Sequence, residues 1–413
     1  MGGGGVVSLA ITGGRVIDPA SGFDAVANVV VRDRVIIGIG GEVPADAEII
    51  DARGLVVAPG LIDAGVFRAE PAACHAGGIT RVVLMPDQRP PLDDPALVAF
   101  TQAMGKPDVW VHPLVAATRG LAGQELAEIG LGKAAGAVGV ATGREGIASS
   151  AVMHRLLAYA GAFDLTVVTH AEDVGLTAGA VATEGEYATR LGLPAAPAFA
   201  EALAVARDIR LAEATGARLH IRQVTTAEAI DLLRAAQARG VKVTAGVTPA
   251  HWLLNETATA GFRSFARLSP PLRADDDRRA VEAALADGTI TVIASGHDPR
   301  TQEEKRLPFA DARPGMAGAE TLLALALSLV RSGAMGLPAA LRAMTAAPAA
   351  VFGLAGGTLS PGSPADLMLF DEAAPWRIAG DRFVGAGNTP FDGLPVAGRV
   401  RVTIKGGEVV WRG

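Results

Sequence analysis

Cysteine is nearly absent: the chain has one, Cys74, in 413 residues. That excludes an internal disulfide framework and any zinc site made of four thiolates, and it makes a reducing compartment, the cytoplasm, the expected location. Aromatic residues are scarce as well, 4% of the chain with two Tyr and four Trp, which leaves little to stack on bases. No run of Lys or Arg occurs, and 37 basic against 43 acidic residues give a net charge of −6, which argues against nucleic acid or an anionic membrane as partner. The longest uncharged apolar segment, TLLALALSLV, is too short to span a bilayer. The first residues, MGGGGVVSLAITGG, carry no basic stretch of the kind that opens a secretory signal. A soluble protein that binds a small polar ligand or another protein is expected.

What is present is an ordered alternation. The two ends echo one another: Ile11-Thr-Gly-Gly-Arg-Val-Ile17 and Ile404-Lys-Gly-Gly-Glu-Val-Val410 both set Gly-Gly between β-branched residues, the signature of a two-residue hairpin turn. Residues 26–39 and 396–403 also read as strands, so one small β-domain built from both termini is expected. Between them run eight short apolar segments: LVVAPGLID, TRVVLMP, VWVHPLVAAT, AGAVGVAT, LTVVTHAED, ARLHIRQVTT, VKVTAGVTP and TITVIASGHDP. Helical stretches separate several of them, over residues 151–160, 199–214, 226–239 and 276–286. In the second, Val205, Ile209 and Ala212 recur at helical spacing, and Arg207, Asp208 and Arg210 supply a polar face. This is the arithmetic of a (β/α)8 barrel, residues 55–354, with a β-sandwich from residues 1–54 and 355–413. A doubly wound sheet is the weaker reading, because no Gly-x-Gly-x-x-Gly follows the first strand. Between Phe67 and Thr80 there is room for two turns of helix at most, which predicts an uncovered corner of the barrel.

Active sites of such barrels lie at the C-terminal ends of the strands. There the chain carries APGLID, AGGITRVVLMP, HAED, VTPAH, PPLR, SGHDP, EEK with PF, and GAET, followed by PGSPADLMLFD and GRVRVTIKGGEVV. In this order they resemble the dihydroorotase branch of the amidohydrolase superfamily, over nearly the whole chain. The resemblance implies an amidohydrolase-type barrel, and it also shows what this sequence has lost. An active member opens its barrel with Pro-Gly-x-Ile-Asp-x-His-x-His, whose two imidazoles reach one zinc. Gly65 and Phe67 stand at those two positions. Ala69 stands where the family has the Arg for the substrate carboxylate, with Arg68 beside it, and Asp87 where it has a substrate Asn. Ser269 and Arg300 fall on the remaining substrate positions. The metal-bridging acid falls at Gly143, with Lys133 upstream in an expected helix, and the sixth-strand ligand at Gln223, a poor zinc ligand. The general base of Asp-His-x-Pro-His falls at Gly296. His297 beside it is expected to turn away from the barrel axis, and Asp298 could replace the base only after a bulge. His170 alone stands at a family zinc position.

These losses point to an inactive member of the family, with no catalytic residue and no cofactor. Within the family such members act as structural subunits of aspartate transcarbamoylase, so the resemblance implies that catalytic subunit as partner in a hetero-oligomer. The alternative is a divergent cyclic-amide hydrolase with one zinc, rebuilt around His170, Glu172, His251 and Asp298, with His112 a further candidate. A third reading is a small-molecule sensor in which Arg144, Arg222 or Arg273 holds a carboxylate. His220 reads as strand-internal, and His75 and His154 as surface loop or helix. Cys74 has no third partner for nucleophilic catalysis. Asp275, Asp276 and Asp277 read as a helix start with acids at its positive end. The Gly-rich stretches at residues 2–5 and 356–357 lack the Lys-Ser/Thr of a phosphate loop.

Overall fold

The computed structural model describes residues 8–106 and 108–413, so the Gly-rich stretch at residues 2–5 lies outside the described residues. Five strands come first: β1 (Ser8–Asp18), β2 (Phe23–Arg32), β3 (Val35–Ile39), β4 (Glu48–Asp51) and β5 (Val56–Pro59). The barrel strands are β6 (Leu61–Val66), β7 (Ile79–Leu84), β8 (Trp110–Ala116), β9 (Gly139–Ala141), β10 (Thr166–Thr169), β13 (Leu219–Ile221), β14 (Val243–Val247) and β15 (Val292–Ile293), interrupted by the short pair β11 (Ala182–Thr183) and β12 (Ala195–Ala196). Strands β16 (Leu367–Arg377), β17 (Pro395–Lys405) and β18 (Glu408–Arg412) return to the first domain.

The eight barrel strands are parallel and lie in the order β15-β14-β13-β10-β9-β8-β7-β6. Each of the eight apolar runs of the sequence supplies one of them. Between β6 and β15 the barrel is drawn together by side chain and loop: the Asp63 carboxylate accepts from the backbone N–H (2.8 Å) and hydroxyl (2.5 Å) of Ser295, and the Phe67 N–H donates to the His297 carbonyl at 3.0 Å. The fold is thus a (β/α)8 barrel with a sheet-rich companion domain. The expected helices appear at Ser150–Ala162, Phe199–Thr215, Ala227–Ala238 and Asp275–Ala286. Two are capped as their sequences suggest, by the Ser149 and Thr226 hydroxyls. The apolar TLLALALSLV forms the buried helix Leu322–Arg331, and among the described residues no helix is long and apolar enough to cross a membrane.

The companion domain is one eight-stranded sheet, β18-β17-β16-β5-β1-β2-β3 with β4 beside β1, wrapped around Ile11, Val29, Ile36, Val57, Leu369 and Ile404. The sheet takes the chain as far as Pro59, because β5 pairs with β1 and β16; the run LVVAPGLID serves both domains, and the barrel begins at Leu61. The C-terminal Gly-Gly forms the expected hairpin turn, with φ of 55° and 79° at Gly406 and Gly407 between β17 and β18. The N-terminal Gly-Gly does not. Gly13 and Gly14 form a bulge inside β1, where the strand changes its parallel neighbour from β4 to β5. A Cβ on Gly14 would lie 2.7 Å from Val57 Cγ2, so the close approach of β5 requires glycine there.

Two further expectations are corrected. The corner between β6 and β7 holds one short helix, Pro71–Ala76, but it is covered by the chain's own second domain. Cys74 is buried, the Thr403 hydroxyl donates to the His75 carbonyl at 2.7 Å, and Met368 and Val400 crowd Gly78. Asp208 is not on a polar face. It is buried against Arg207 (2.8 Å), and burial pushes its pKa up to about 6 despite that partner.

Candidate functional site

The loops after the barrel strands converge on a cavity of about 840 Å³. Phe67 follows β6, Asp87 follows β7, Arg144 follows β9, His170 and Glu172 follow β10, and Asp298 follows β15; all line it, as do Ser269 and Arg300. Beneath it a smaller void reaches Arg222, Gln223, His251 and Gly296. These positions therefore share one end of the barrel, where parallel strands aim their last side chains.

Three of these positions are glycines in the left-handed region, with φ of 79° at Gly65, 75° at Gly143 and 66° at Gly296. Side chains are strained there whatever the space. The space is also taken. A Cβ on Gly65 would lie 3.0 Å from the Arg222 stem, one on Gly143 2.9 Å from Leu121, and one on Gly296 2.8 Å from Thr248. Arg222 occupies the space a longer residue 65 would fill.

Phe67 carries two cations on its ring: the Arg144 and Arg222 guanidinium carbons lie 3.9 and 4.9 Å from its centroid. Arg222 Nη2 lies 3.1 Å from His170 Nδ1, and His170 Nε2 lies 3.0 Å from Glu172. A guanidinium can only donate, so Nδ1 accepts and the ring proton sits on Nε2, facing the carboxylate. The single lone pair of neutral His170 is therefore spent on Arg222. Burial holds this imidazole below its ordinary pKa, with Arg222 and Arg144 adding to the effect against Glu172. Glu172 bonds onward to Arg273 (3.2 Å), whose guanidinium also meets buried Glu201 (3.2 Å).

The other candidates are equally committed. Asp298 Oδ2 bonds to both Arg144 (2.5 Å) and Arg300 (2.6 Å). Asp87 accepts from the Arg144 N–H at 2.8 Å. Gln223 donates to Thr248 at 3.2 Å, while its Oε1 is buried with no partner among the described residues. Ser269 Oγ lies 3.2 Å from His170 Nε2. Ala69 is half-buried, and Arg68 lines the cavity with its guanidinium 3.6 Å from Glu70. His297 faces away from the cavity: its Nδ1 accepts from the Gly318 and Ala319 N–H groups at 3.2 and 3.3 Å, and its Nε2 is 3.5 Å from Glu70. His112 lies 3.2 Å from Arg81, and His220 2.9 Å from Thr244. His75 meets the Asp108 carbonyl at 2.9 Å, and His154 is exposed on its helix.

These donors do not fit a catalytic zinc, which needs three free ligands and an open position. Among the described residues no group of three His, Cys, Asp or Glu could hold a metal ion. Sequence reasoning missed Glu201 and Arg267. Glu201 had a signal: it stands four residues before Val205, on the apolar stripe of its helix. Arg267 had none, because it sits in an irregular loop.

His251 gives a pH prediction. Its Nδ1 meets the Thr248 hydroxyl (3.0 Å) and its Nε2 the Pro270 carbonyl (3.3 Å), and burial lowers its pKa to about 3. Unfolded, the ring titrates at about 6.5, so between about pH 6 and 4 the unfolded state holds one more proton than the folded state. Stability from this group is complete above pH 6.5 and is lost as pH falls. H251Q is expected to flatten the stability-versus-pH slope in that window by ~1.4 kcal/mol per pH unit relative to wild type. Urea unfolding of both proteins at several pH values measures it, and equal slopes would contradict a buried neutral ring.

The amidohydrolase family model matches residues 76–410. A protein named dihydroorotase from Syntrophotalea carbinolica is 41% identical over 98% of this chain and 99% of its own length, and one from Anaeromyxobacter dehalogenans is 42% identical over 97% of each. Among solved structures, L-hydantoinase (dihydropyrimidinase) from Arthrobacter aurescens superposes with a TM-score of 0.86 at 24% identity, covering 98% of this chain and 96% of that one. Dihydropyrimidinase from Brevibacillus agri gives 0.84 at 22%, covering 98% and 95%. The last two likenesses concern the fold. Taken with the barrel and its converging loops, the matches establish that the chain belongs to the amidohydrolase family and is a homologue of the dihydroorotases over nearly its whole length.

Proposed function

We propose that this chain is a non-hydrolytic dihydroorotase homologue that acts by binding, as a structural subunit for the catalytic subunit of aspartate transcarbamoylase in de novo pyrimidine synthesis. The observation that carries the non-hydrolytic half is Arg222. Its stem packs against Gly65 and its guanidinium takes the lone pair of His170, the one imidazole retained at a family zinc position. Attack by water on an amide would further need a base, and Gly296 at the family's base position has none. The assembly half rests on the resemblance to inactive family members. Co-expression with the cognate transcarbamoylase is expected to give one co-eluting species on gel filtration, and two separate peaks at micromolar concentration would remove the assembly role.

A second reading, a metal-dependent hydrolase of cyclic amides, is favoured by relatives about 40% identical to this chain that are named dihydroorotase. Metal analysis of protein purified without chelator separates the two. On the proposed reading zinc stays well below one equivalent per chain and dihydroorotate is not turned over. One tightly held zinc together with turnover selects the hydrolase.

A further inference from the structure

The few aromatic side chains are unevenly placed. Two of the chain's four tryptophans, Trp376 and Trp411, line one cavity together with Phe383, where β16, β17 and β18 meet the barrel helix Leu322–Arg331. Its volume, about 500 Å³, is that of a site for a small organic molecule. It shares no lining residue with the cavity at the barrel mouth. Both tryptophans are half-buried, so each keeps ring surface in contact with water. Trp376 is pinned in place: its indole N–H donates to the Gly398 carbonyl at 2.9 Å, and the Arg399 guanidinium carbon lies 5.1 Å from its ring centroid.

Charge is as uneven. In a chain of net charge −6 this cavity is lined by three arginines, Arg377, Arg382 and Arg399, and by one acidic side chain, Glu320. Glu320 is already committed, because it accepts from the Val384 and Gly385 N–H groups at 3.2 and 2.9 Å and so fastens the loop after β16. Arg377 donates to the Gly393 carbonyl at 2.5 Å, and none of the three arginines meets an Asp or Glu of the described residues within ion-pair distance. Cations gathered without an acid between them raise the local potential and draw an anion in. An aromatic wall takes a flat ring, and a free guanidinium fork takes carboxylate or phosphate oxygens.

We propose that this cavity binds a planar aromatic anion, with its ring against Trp411 and Phe383 and its carboxylate or phosphate on Arg382 and Arg399. Nucleotides and aromatic acids share that chemistry. The site uses no metal, no partner subunit and no residue of the barrel mouth, so it stands or falls separately from the function proposed above.

Titration calorimetry on the full chain tests it with AMP and anthranilate as probes. Adenosine supplies a ring without the charge, and inorganic phosphate the charge without a ring. Saturable binding of AMP or anthranilate, tighter than that of either control, is expected, and the tighter probe identifies the anionic group. W411L and R382M are each expected to weaken that binding about tenfold or more, the first through the ring and the second through the anion. R300M, at the barrel mouth, is expected to leave it unchanged. Arg382 is exposed, so R382M carries the comparison alone should W411L not fold. No saturable binding of either probe, phosphate binding as tightly as AMP, unchanged affinity in R382M, or loss of binding in R300M would overturn the proposal.

Discussion

Replacing Asp366 with alanine is expected to destabilise the protein by about 3–5 kcal/mol, the cost of stranding a buried cation. Asp366 stands just before β16 and ties the companion domain to the barrel. Its Oδ2 receives Arg81 Nη2 at 2.6 Å, and its Oδ1 receives the Trp110 indole N–H at 3.2 Å and the Gly406 N–H at 2.7 Å. Arg81 and Trp110 belong to β7 and β8, while Gly406 is in the turn between β17 and β18, so one carboxylate holds two barrel strands and a hairpin of the other domain. Both ion-pair partners are buried, with side chains 6% and 3% exposed, so neither solvent nor salt can replace the bond. D366N keeps an acceptor for Trp110 and Gly406 but turns an amide against Arg81, and should fall between wild type and alanine. The double variant R81M/D366A is expected to recover part of the loss, since an apolar pair of similar volume removes the stranded charge. Chemical denaturation of the four proteins measures this, and a D366A loss below ~1 kcal/mol, the range of exposed ion pairs, would show the tie to be unimportant.

The barrel was legible because strand runs and amphipathic helices are local patterns, and eight runs with helices between them admit few topologies. What failed was whatever depends on the neighbour across space. Gly13-Gly14 and Gly406-Gly407 have the same local sequence, yet one is a bulge and the other a turn. The difference is that β1 has partners on both sides and must pass from β4 to β5. Asp208 looked polar beside Arg207 and Arg210, but its position against Ile209 puts it on the buried side of the helix. The short corner after Phe67 looked bare because nothing in residues 67–80 announces that β17 lies over it.

The site shows the same division. Gly65, Gly143, Gly296 and Gln223 could be singled out directly, because each lies in a recognisable run. That Arg222 fills the space at Gly65 could not, since β6 and β13 are far apart in sequence and approach only across the closed barrel. The positive φ is likewise set by tertiary context, at a bulge inside β6 for Gly65 and in the loops that follow β9 and β15 for Gly143 and Gly296. Introducing single side chains at these positions would meet both strain and occupied space, so backbone as well as composition keeps them glycine.

Replacing Glu201 with alanine is also expected to cost about 3–5 kcal/mol. Glu201 is fully buried at the start of the helix Phe199–Thr215. Its Oε1 accepts from the Thr225 N–H (2.7 Å), the Thr226 N–H (2.9 Å) and the Thr226 hydroxyl (3.0 Å), and its Oε2 accepts from the Thr225 hydroxyl and from Arg273 at 3.2 Å. Burial raises its pKa against the charge of Arg273, while every one of these partners donates to it. Alanine leaves the amides of Thr225 and Thr226 without their acceptor and leaves Arg273 with one carboxylate, Glu172, beside the hydroxyls of Thr225 and Thr183. E201Q separates the two effects. Its oxygen can still serve the two amides, while its NH2 faces Arg273 and the Thr225 hydroxyl, so a smaller loss of about 1–3 kcal/mol is expected. Urea unfolding of both variants gives the order. If alanine costs less than glutamine, the hydrogen-bonded carboxylate is not what fixes Arg273, and the chain of bonds from Glu201 to Arg222 does not organise the cavity floor.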